Sequence, residues 1–204
     1  MRQPRTLIGL LIAVCAAAAW NGCERSSKTP RSETGQNDAT MKTGDVAMSL
    51  TIESTAFKNN ERVPTRFSGD GEDVSPQLSW SGAPDGTAEL ALIMDDPDAP
   101  TAEPWVHWVI YKIPADTTAL PENVAKTETL SDPTGTMQGK NSWGKIGYGG
   151  PAPPRGHGVH HYHFKVYALD QALSISPGLT KNQLLSAMKG HILAEAELVG
   201  TYQR

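Results

Sequence analysis

The chain has 204 residues, of which 38% are apolar, so it is long enough for one globular domain with a sizeable core. The formal net charge is −4, and the part after residue 45 carries −6, because residues 1–22 carry +2 and residues 23–45 are balanced. An acidic domain without a basic run is a poor candidate for binding nucleic acid or an anionic membrane surface, and any anion has to be held by a local site.

The first 22 residues are predicted to be a signal peptide. Arg2 and Arg5 precede an apolar run of about 13 residues, Leu7–Ala19. A run of this length is too short to span a bilayer as a helix and is typical of the core of a secretory signal. We therefore expect the mature protein to be exported.

Cys23 is predicted to be a lipidation site. It follows the small residue Gly22 and precedes a polar stretch, an arrangement that resembles the cleavage site of bacterial lipoproteins. Trp20 and Asn21 depart from the aliphatic and small residues usual there, so ordinary secretion stays open as the alternative. Residues 23–46 are polar, with almost nothing to bury, and are expected to form a flexible tether. The sequence thus predicts a domain anchored to a membrane of the cell envelope, on its periplasmic or extracytoplasmic face.

Residues 47–204 are predicted to form one domain, mainly β with minor α content. Alternating or short apolar segments predict six strands, over Met48–Phe57, Gln77–Trp80, Glu89–Met94, Trp105–Ile113, His160–Leu169 and Ile192–Tyr202. One helix is expected between the N-cap residue Thr180 and the stop signal Gly190. The segments 59–75 and 116–140 are rich in turn formers and are expected to consist mainly of loops. This pattern favours a β-sandwich with short peripheral helices.

The strand predicted over Trp105–Ile113 should be buried on both faces. Alternation places Trp105, His107 and Val109 on one face and Trp108 on the other, and both faces are mostly apolar. A strand that is apolar on both faces is expected to be covered on both sides.

The strand predicted over His160–Leu169 follows a loop of Gly and Pro residues. On this strand His160 and Tyr162 share a face with the apolar Phe164, whereas His163 points to the opposite face. An imidazole and a phenol on a buried face, where a stiff loop ends, are placed to reach a pocket. The alternative is that backbone groups satisfy both side chains within the core.

Polar residues stand at the ends of three predicted strands. Asp96 follows the strand that ends at Met94, His107 lies near the start of the next strand, and His160 and Tyr162 open a third. If these ends cluster, a carboxylate, two imidazoles and a phenol surround one cavity. Imidazole and phenol groups can donate hydrogen bonds to an anion, and a neighbouring carboxylate favours the cationic form of histidine.

The same segments resemble the motifs of a known family. DPDAP at 96–100, W-x-H at 105–107 and G-P-x-P-P-x-G-x-G-x-H-x-Y at 150–162 are similar to motifs of the phosphatidylethanolamine-binding protein family. The segments HHYHFxxYALD and GHILAEAELVGTYQR look like its bacterial Raf-kinase-inhibitor-like branch, the YbhB/YbcL type. The resemblance covers about residues 47–204.

This resemblance implies an antiparallel β-sandwich and a non-enzymatic binding protein without a cofactor. Its small cavity would accept phosphate, a carboxylate or a phospholipid headgroup. The residues that would bind the ligand are Asp96, His107, His160 and Tyr162. The residues that would form the pocket wall are Asp98, Pro100, Trp105, Pro151, Pro153 and Pro154. A protein partner and a homodimer are compatible with the family as well.

Two further expectations come from the family. Glu103–Pro104 lies where related proteins often hold a strained peptide bond, and we predict that this bond is cis. The sequence ends at Arg204 without the C-terminal helix that flanks the cavity in eukaryotic members, so regulation of a kinase is not expected.

Two other functions stay open as alternatives. Four histidines between residues 157 and 163, with Asp96 and His107, offer ligands for a hydrolytic zinc site. Strand alternation puts these histidines on opposite faces, however, so we predict no metal site. A protein-binding module such as a protease inhibitor is neither supported nor excluded by the sequence.

Overall fold

The computed structural model describes residues 49–204. The predicted signal peptide, the lipidation site Cys23 and the tether lie outside these residues, so their assignments stay predictions. Within residues 49–204, no helix is both long enough and apolar enough to cross a membrane.

The described residues form two sheets and one α-helix, and the predicted β-sandwich is confirmed. The strands are β1 (Thr51–Glu53), β2 (Glu61–Arg62), β3 (Leu78–Ser81), β4 (Glu89–Asp96), β5 (Trp105–Pro114), β6 (Ala119–Leu120), β7 (Met137–Gln138), β8 (His160–Leu169) and β9 (Ile192–Tyr202). The larger sheet has the order β2–β9–β8–β4–β5–β7, and the smaller sheet has the order β1–β3–β6. Neighbouring strands are antiparallel except β2 and β9. The helix α1 spans Lys181–Met188, and a 3-10 turn spans Thr65–Phe67.

The space between the two sheets holds the main core. Leu92 and Met94 on β4 and Phe164 on β8 fill it, and Trp80 on β3 covers it from the smaller sheet. The helix α1 covers the opposite face of the larger sheet, where it buries Leu184. β4 is therefore buried along its whole length, as its unbroken apolar run predicts.

The observed strand limits agree with the predicted ones where the alternation of apolar and polar residues extends over many residues. β8 and β9 begin and end where the pattern predicts, whereas β1 is much shorter than the predicted Met48–Phe57. Ser54 follows its last residue, and its hydroxyl donates to the Gln77 carbonyl at 2.7 Å and accepts from the Ala56 N–H at 3.1 Å. These local bonds compete with continued strand pairing. The strands β2, β6 and β7 escape prediction because two residues leave no periodic pattern.

The pairing of β4 with β5 contains an extra residue at His107. Asp95 lies opposite Val106 and Met94 lies opposite Trp108, so two steps along β5 match one step along β4. A bulge of this kind interrupts the alternation of side chains and can turn one of them towards a new direction. Here Val106 and Val109 both pack in the outer cluster, so the two residues between them, His107 and Trp108, face the inner side of the larger sheet together.

This bulge overturns the predicted face assignment of β5 for Trp108 and Val109, whereas Trp105 and His107 share a face as predicted. His107 packs edge-to-face against Tyr162, with ring centroids 5.1 Å apart, beside the main core that contains Trp108. Val109, predicted to share the face of His107, lies instead in the outer cluster beneath α1. The apolar pattern of β5 is continuous on both faces, so nothing in the sequence marks the extra residue.

The predicted cis bond at Glu103–Pro104 is wrong. Within residues 49–204, the cis peptide bond lies at Asp132–Pro133. An X–Pro bond favours trans by only about 0.5–1 kcal/mol, so its surroundings decide the isomer, and the dipeptide sequence does not reveal those surroundings.

The helix α1 begins with the predicted cap. The Thr180 hydroxyl accepts from the Gln183 N–H at 3.4 Å, and the Gln183 side chain accepts from the Thr180 N–H at 2.9 Å. This reciprocal pair is a capping box. Lys181 in the first turn forms a salt bridge with Asp95 on β4, which attaches the helix to the sheet.

Replacing Thr180 tests the cap. Thr180→Ala should lower the free energy of unfolding by about 1 kcal/mol, because it removes the side-chain acceptor of the capping box. Urea denaturation followed by circular dichroism measures the change. Thr118→Ala is the control at an exposed threonine outside the helix, and its effect should stay within about 0.5 kcal/mol. Equal losses in the two variants would contradict the role of the cap.

Candidate functional site

A cavity of about 230 Å³ lies where the end of β4 meets the starts of β5 and β8. The four residues predicted to bind a ligand all line it: Asp96, His107, His160 and Tyr162. Four of the six predicted wall residues line it too, namely Pro100, Trp105, Pro153 and Pro154. The remaining lining residues are Ala99, Thr101, Trp143 and Ala152.

Asp98 and Pro151, the other two predicted wall residues, do not line the cavity. The Asp98 carboxylate accepts from the backbone N–H and from Nδ1 of His161, at 2.8 and 2.7 Å, on the exposed face of β8. Pro151 is buried, and its carbonyl accepts from the Gly69 N–H at 2.9 Å. Both residues stand close in sequence to lining residues, and spacing alone does not show which neighbour turns towards the cavity.

Two acidic residues, Asp96 at the end of β4 and Asp98 in the turn after it, hold β8 through two consecutive histidines. Asp96 Oδ2 accepts from Nδ1 of the buried His160 at 2.7 Å, while Asp98 holds the exposed His161. Asp96 Oδ1 accepts from the Asp98 N–H at 2.9 Å. Both oxygens of the buried Asp96 are thus hydrogen-bonded, which offsets the cost of removing a carboxylate from water.

His157 extends this arrangement to the surface, and sequence reasoning does not assign it to the pocket. Its Nδ1 lies 2.8 Å from Nε2 of His160, so the two rings share one hydrogen. Gly156 and Gly158 flank it with φ angles of 76° and 90°, a region that favours glycine. These two glycines are the one sequence signal of the loop shape that brings His157 to His160. A line of hydrogen bonds therefore runs from Asp96 to an exposed imidazole.

The His107 ring is neutral and has a defined tautomer. Its Nδ1 lies 2.6 Å from the Gly149 carbonyl oxygen, so Nδ1 carries the hydrogen and donates it. Burial lowers the pKa of His107 to about 4, and this outweighs the opposite effect of the Asp96 carboxylate. At neutral pH the other nitrogen, Nε2, is therefore a hydrogen-bond acceptor. The expectation that a carboxylate keeps the histidines cationic does not hold for His107.

The Tyr162 hydroxyl makes no hydrogen bond of standard geometry within residues 49–204, although the side chain is fully buried and the Asp96 carboxylate and the Ala152 backbone lie near it. Burial and the neighbouring Asp96 carboxylate raise the pKa of Tyr162, so the phenol keeps its hydrogen at neutral pH. A buried polar group without a partner costs about 1–3 kcal/mol. This group lines the cavity, where an acceptor atom of a ligand could receive its hydrogen bond.

Aromatic rings form one wall of the cavity. Trp143 packs edge-to-face against Trp105 and His107, with ring centroids 5.4 and 5.1 Å away. A Cβ atom at Gly149 would lie 2.7 Å from the Trp143 ring, so this contact needs glycine there. The wall thus depends on the same Gly149 whose carbonyl fixes the His107 tautomer.

The described residues contain no group of three or more His, Cys, Asp or Glu side chains arranged to hold a metal ion. His160 is hydrogen-bonded to Asp96 and His157. His163 lies on the opposite face of β8, with Nδ1 2.6 Å from Glu197. The predicted separation of the histidines by strand alternation is confirmed.

Known proteins resemble the described part of the chain closely. A family model described as phosphatidylethanolamine-binding protein matches residues 53–203. A UPF0098 protein of Methanothermobacter thermautotrophicus is 49% identical over 155 residues, which cover 76% of this chain and 99% of that protein. The UPF0098 protein YbcL of Escherichia coli is 39% identical over 166 residues, which cover 77% of this chain and 89% of that protein.

Two solved structures share the fold. The crystal structure of Escherichia coli YbcL, described as a new member of the mammalian PEBP family, matches with a TM-score of 0.72 at 34% identity and covers 76% of this chain and 99% of that chain. A putative phosphatidylethanolamine-binding protein homolog of Chlamydia trachomatis matches with a TM-score of 0.69 at 38% identity and covers 77% and 99%. The span that the family model matches includes every segment that lines the cavity.

The titration of His107 can be measured directly. We expect nitrogen-15 NMR at neutral pH to show hydrogen on Nδ1 and none on Nε2, with a midpoint near pH 4. Because the unfolded ring binds a proton near pH 6.5, stability should fall as the pH drops from about 6.5 to about 4, by up to about 3 kcal/mol from this group. His107→Asn, which cannot titrate, should lose less stability over the same range. A midpoint near 6.5 in the folded protein would contradict this account.

Proposed function

The chain belongs to the phosphatidylethanolamine-binding protein family, and we propose that it is a non-enzymatic binding protein for a small anion. The ligand is a phosphate, a carboxylate or the headgroup of a phospholipid, held in the cavity between β4, β5 and β8. The observation that carries this proposal is the buried hydroxyl of Tyr162, which has no partner within the described residues. A ligand oxygen in the cavity would accept its hydrogen.

The size of the cavity supports a small ligand group. Its volume of about 230 Å³ is below the range of roughly 300–1,000 Å³ that is typical of sites for drug-sized molecules. A headgroup or a free anion suits this space better than an entire lipid. The aromatic wall of Trp105 and Trp143 would limit the access of water, and a hydrogen bond to a charged group is stronger where water is excluded.

We further propose that the domain is anchored to the cell envelope through a lipidated Cys23. The support is the sequence pattern: an apolar signal core, a small residue before the cysteine, and a polar stretch after it. The tether would let the cavity reach ligands near the membrane surface without contact between the acidic domain and anionic lipids.

Tyr162→Phe tests the binding site. It removes the hydroxyl and leaves the ring, so phosphate binding measured by calorimetry should weaken roughly ten- to a hundredfold, as expected for a lost hydrogen bond to a charged group. The free energy of unfolding should stay the same or rise, because the variant removes a buried group that has no partner.

His163→Ala is the matched control on the same strand. His163 faces Glu197 on the opposite side of β8, so its loss should leave phosphate binding nearly unchanged. His160→Ala should also weaken binding but is a less clean test, because it strips the buried Asp96 of a partner. Unchanged phosphate affinity in Tyr162→Phe, with the fold intact, would overturn the proposed site.

Intact-mass analysis of the membrane fraction tests the anchor. We expect a chain that begins at Cys23 and carries two or more acyl chains, because a single chain gives only marginal attachment. Cys23→Ser should release the protein from the membrane or block its processing. A soluble product whose first residue lies elsewhere would rule out lipidation.

A further inference from the structure

We infer that the cavity selects an oxyanion that still carries a hydrogen, such as the monoanion of a phosphomonoester, over the phosphomonoester dianion or a phosphodiester. This inference rests on the proposed function, since it specifies the ligand of the same cavity. It follows from counting which groups around the cavity can donate a hydrogen and which can only accept one.

The histidines of the cavity offer few donors. The Nδ1 hydrogen of His107 is used by the Gly149 carbonyl, so the ring presents Nε2 as an acceptor. His160 donates from Nδ1 to Asp96, and its Nε2 is occupied by His157. The Tyr162 hydroxyl is the remaining donor among these groups, and it makes no hydrogen bond of standard geometry within the described residues. Trp105 and Trp143 also line the cavity, and each has an indole N–H that can only donate, so the acceptor Nε2 of His107 still needs a hydrogen from the ligand.

The charge around the cavity also disfavours a dianion. The charged or titratable groups near His107 and Tyr162 are Asp73, Asp95, Asp96 and Arg204, together with the hydrogen-bonded pair His157 and His160. Asp73 is paired with Lys126, Asp95 with Lys181, and Arg204 with Asp70. Asp96 is the one carboxylate among the residues that line the cavity, and none of the lining residues is a Lys or an Arg. A second negative charge on the ligand would therefore meet repulsion from Asp96 without a lining cation to offset it.

One hydrogen on the ligand both supplies a donor for Nε2 of His107 and lowers the negative charge of the ligand to one. A P–OH group can donate to Nε2 of His107, while another oxygen of the same phosphate accepts from the Tyr162 hydroxyl. The ligand then carries a single negative charge. A phosphodiester also has a single charge, but it has no hydrogen to give, so it leaves Nε2 of His107 facing an oxygen lone pair. Charge and hydrogen-bond pattern together favour the monoester monoanion.

The pH dependence of binding follows from the ligand. A phosphate monoester loses its last hydrogen with a pKa near 6. Well above that pH the affinity should fall about tenfold per pH unit, and binding should take up about one proton. Dimethyl phosphate has no such ionisation. It should gain affinity only as the pH falls towards about 4, where His107 itself becomes a donor.

Calorimetry on the full chain with methyl phosphate and dimethyl phosphate tests the inference. At about pH 5.5 we expect methyl phosphate to bind at least tenfold more tightly. Between about pH 7 and pH 8 its affinity should fall about tenfold, with proton uptake visible as a difference between buffers of unlike ionisation heat. Equal affinities for the two probes, or pH-independent binding of methyl phosphate, would overturn the inference while leaving an anion site in place. Failure of phosphate and both probes at every pH would overturn the proposed function itself.

Two variants separate hydrogen donation from other causes. His107→Asn keeps an amide that can donate to Gly149 but removes the acceptor Nε2, so the preference for methyl phosphate should shrink to less than about threefold. A preference that persists would mean that the extra methyl group is excluded by size, which contradicts the inference. His157→Gln removes the exposed imidazole that is hydrogen-bonded to His160, and proton uptake should persist in this variant. Loss of uptake in that variant would place the proton on the histidine pair and refute its assignment to the ligand.

Discussion

His107 lies at a bulge in the pairing of β4 with β5, and because of this bulge its neighbour Trp108 faces the same inner side of the larger sheet. Val106 and Val109, on either side of this pair, pack in the outer cluster beneath α1, and His107 does not. On the inner side it instead contacts Tyr162 and Trp143 and donates to the Gly149 carbonyl. His107 thus connects Tyr162, the aromatic wall and the loop before β8 around a single cavity.

The polar groups of this cavity are held in place before any ligand arrives. Asp96 is fixed by His160 and by the Asp98 N–H, and His107 is fixed by the Gly149 carbonyl. Their hydrogen-bonding directions are therefore set by the protein, and little ordering is left to occur on binding. Tyr162 is the exception in that its hydroxyl lacks a partner among the described residues. Of the two buried side-chain polar atoms that lack a partner in the described residues, the Tyr162 hydroxyl belongs to a residue that lines the cavity, and Oγ1 of Thr136 does not.

Much of the fold could be predicted from the sequence, and the family resemblance is confirmed. The limits of β8 and β9 were predictable because inward-facing and outward-facing residues alternate over the whole length of these long strands. The bulge at His107 was not, because both faces of β5 are apolar and a shift between them changes nothing in the pattern. The meeting of Asp96, His107, His160 and Tyr162 could be expected from the motifs. The orientation of Asp98 away from the cavity and the contact of His157 with His160 could not be expected, because both depend on loop dihedral angles. The anchor at Cys23 stays a prediction.

The hydrogen-bond line that ends at the exposed His157 reaches solvent by a route that is separate from the cavity. His157 is not among the residues that line the cavity, so the path from solvent through His157 and His160 to Asp96 does not pass through the space that a ligand would fill. Protons could then exchange between solvent and the Asp96 carboxylate through His157 and His160 while a ligand fills the cavity. A ligand in the cavity would therefore leave this hydrogen-bonded connection between Asp96 and the surface intact.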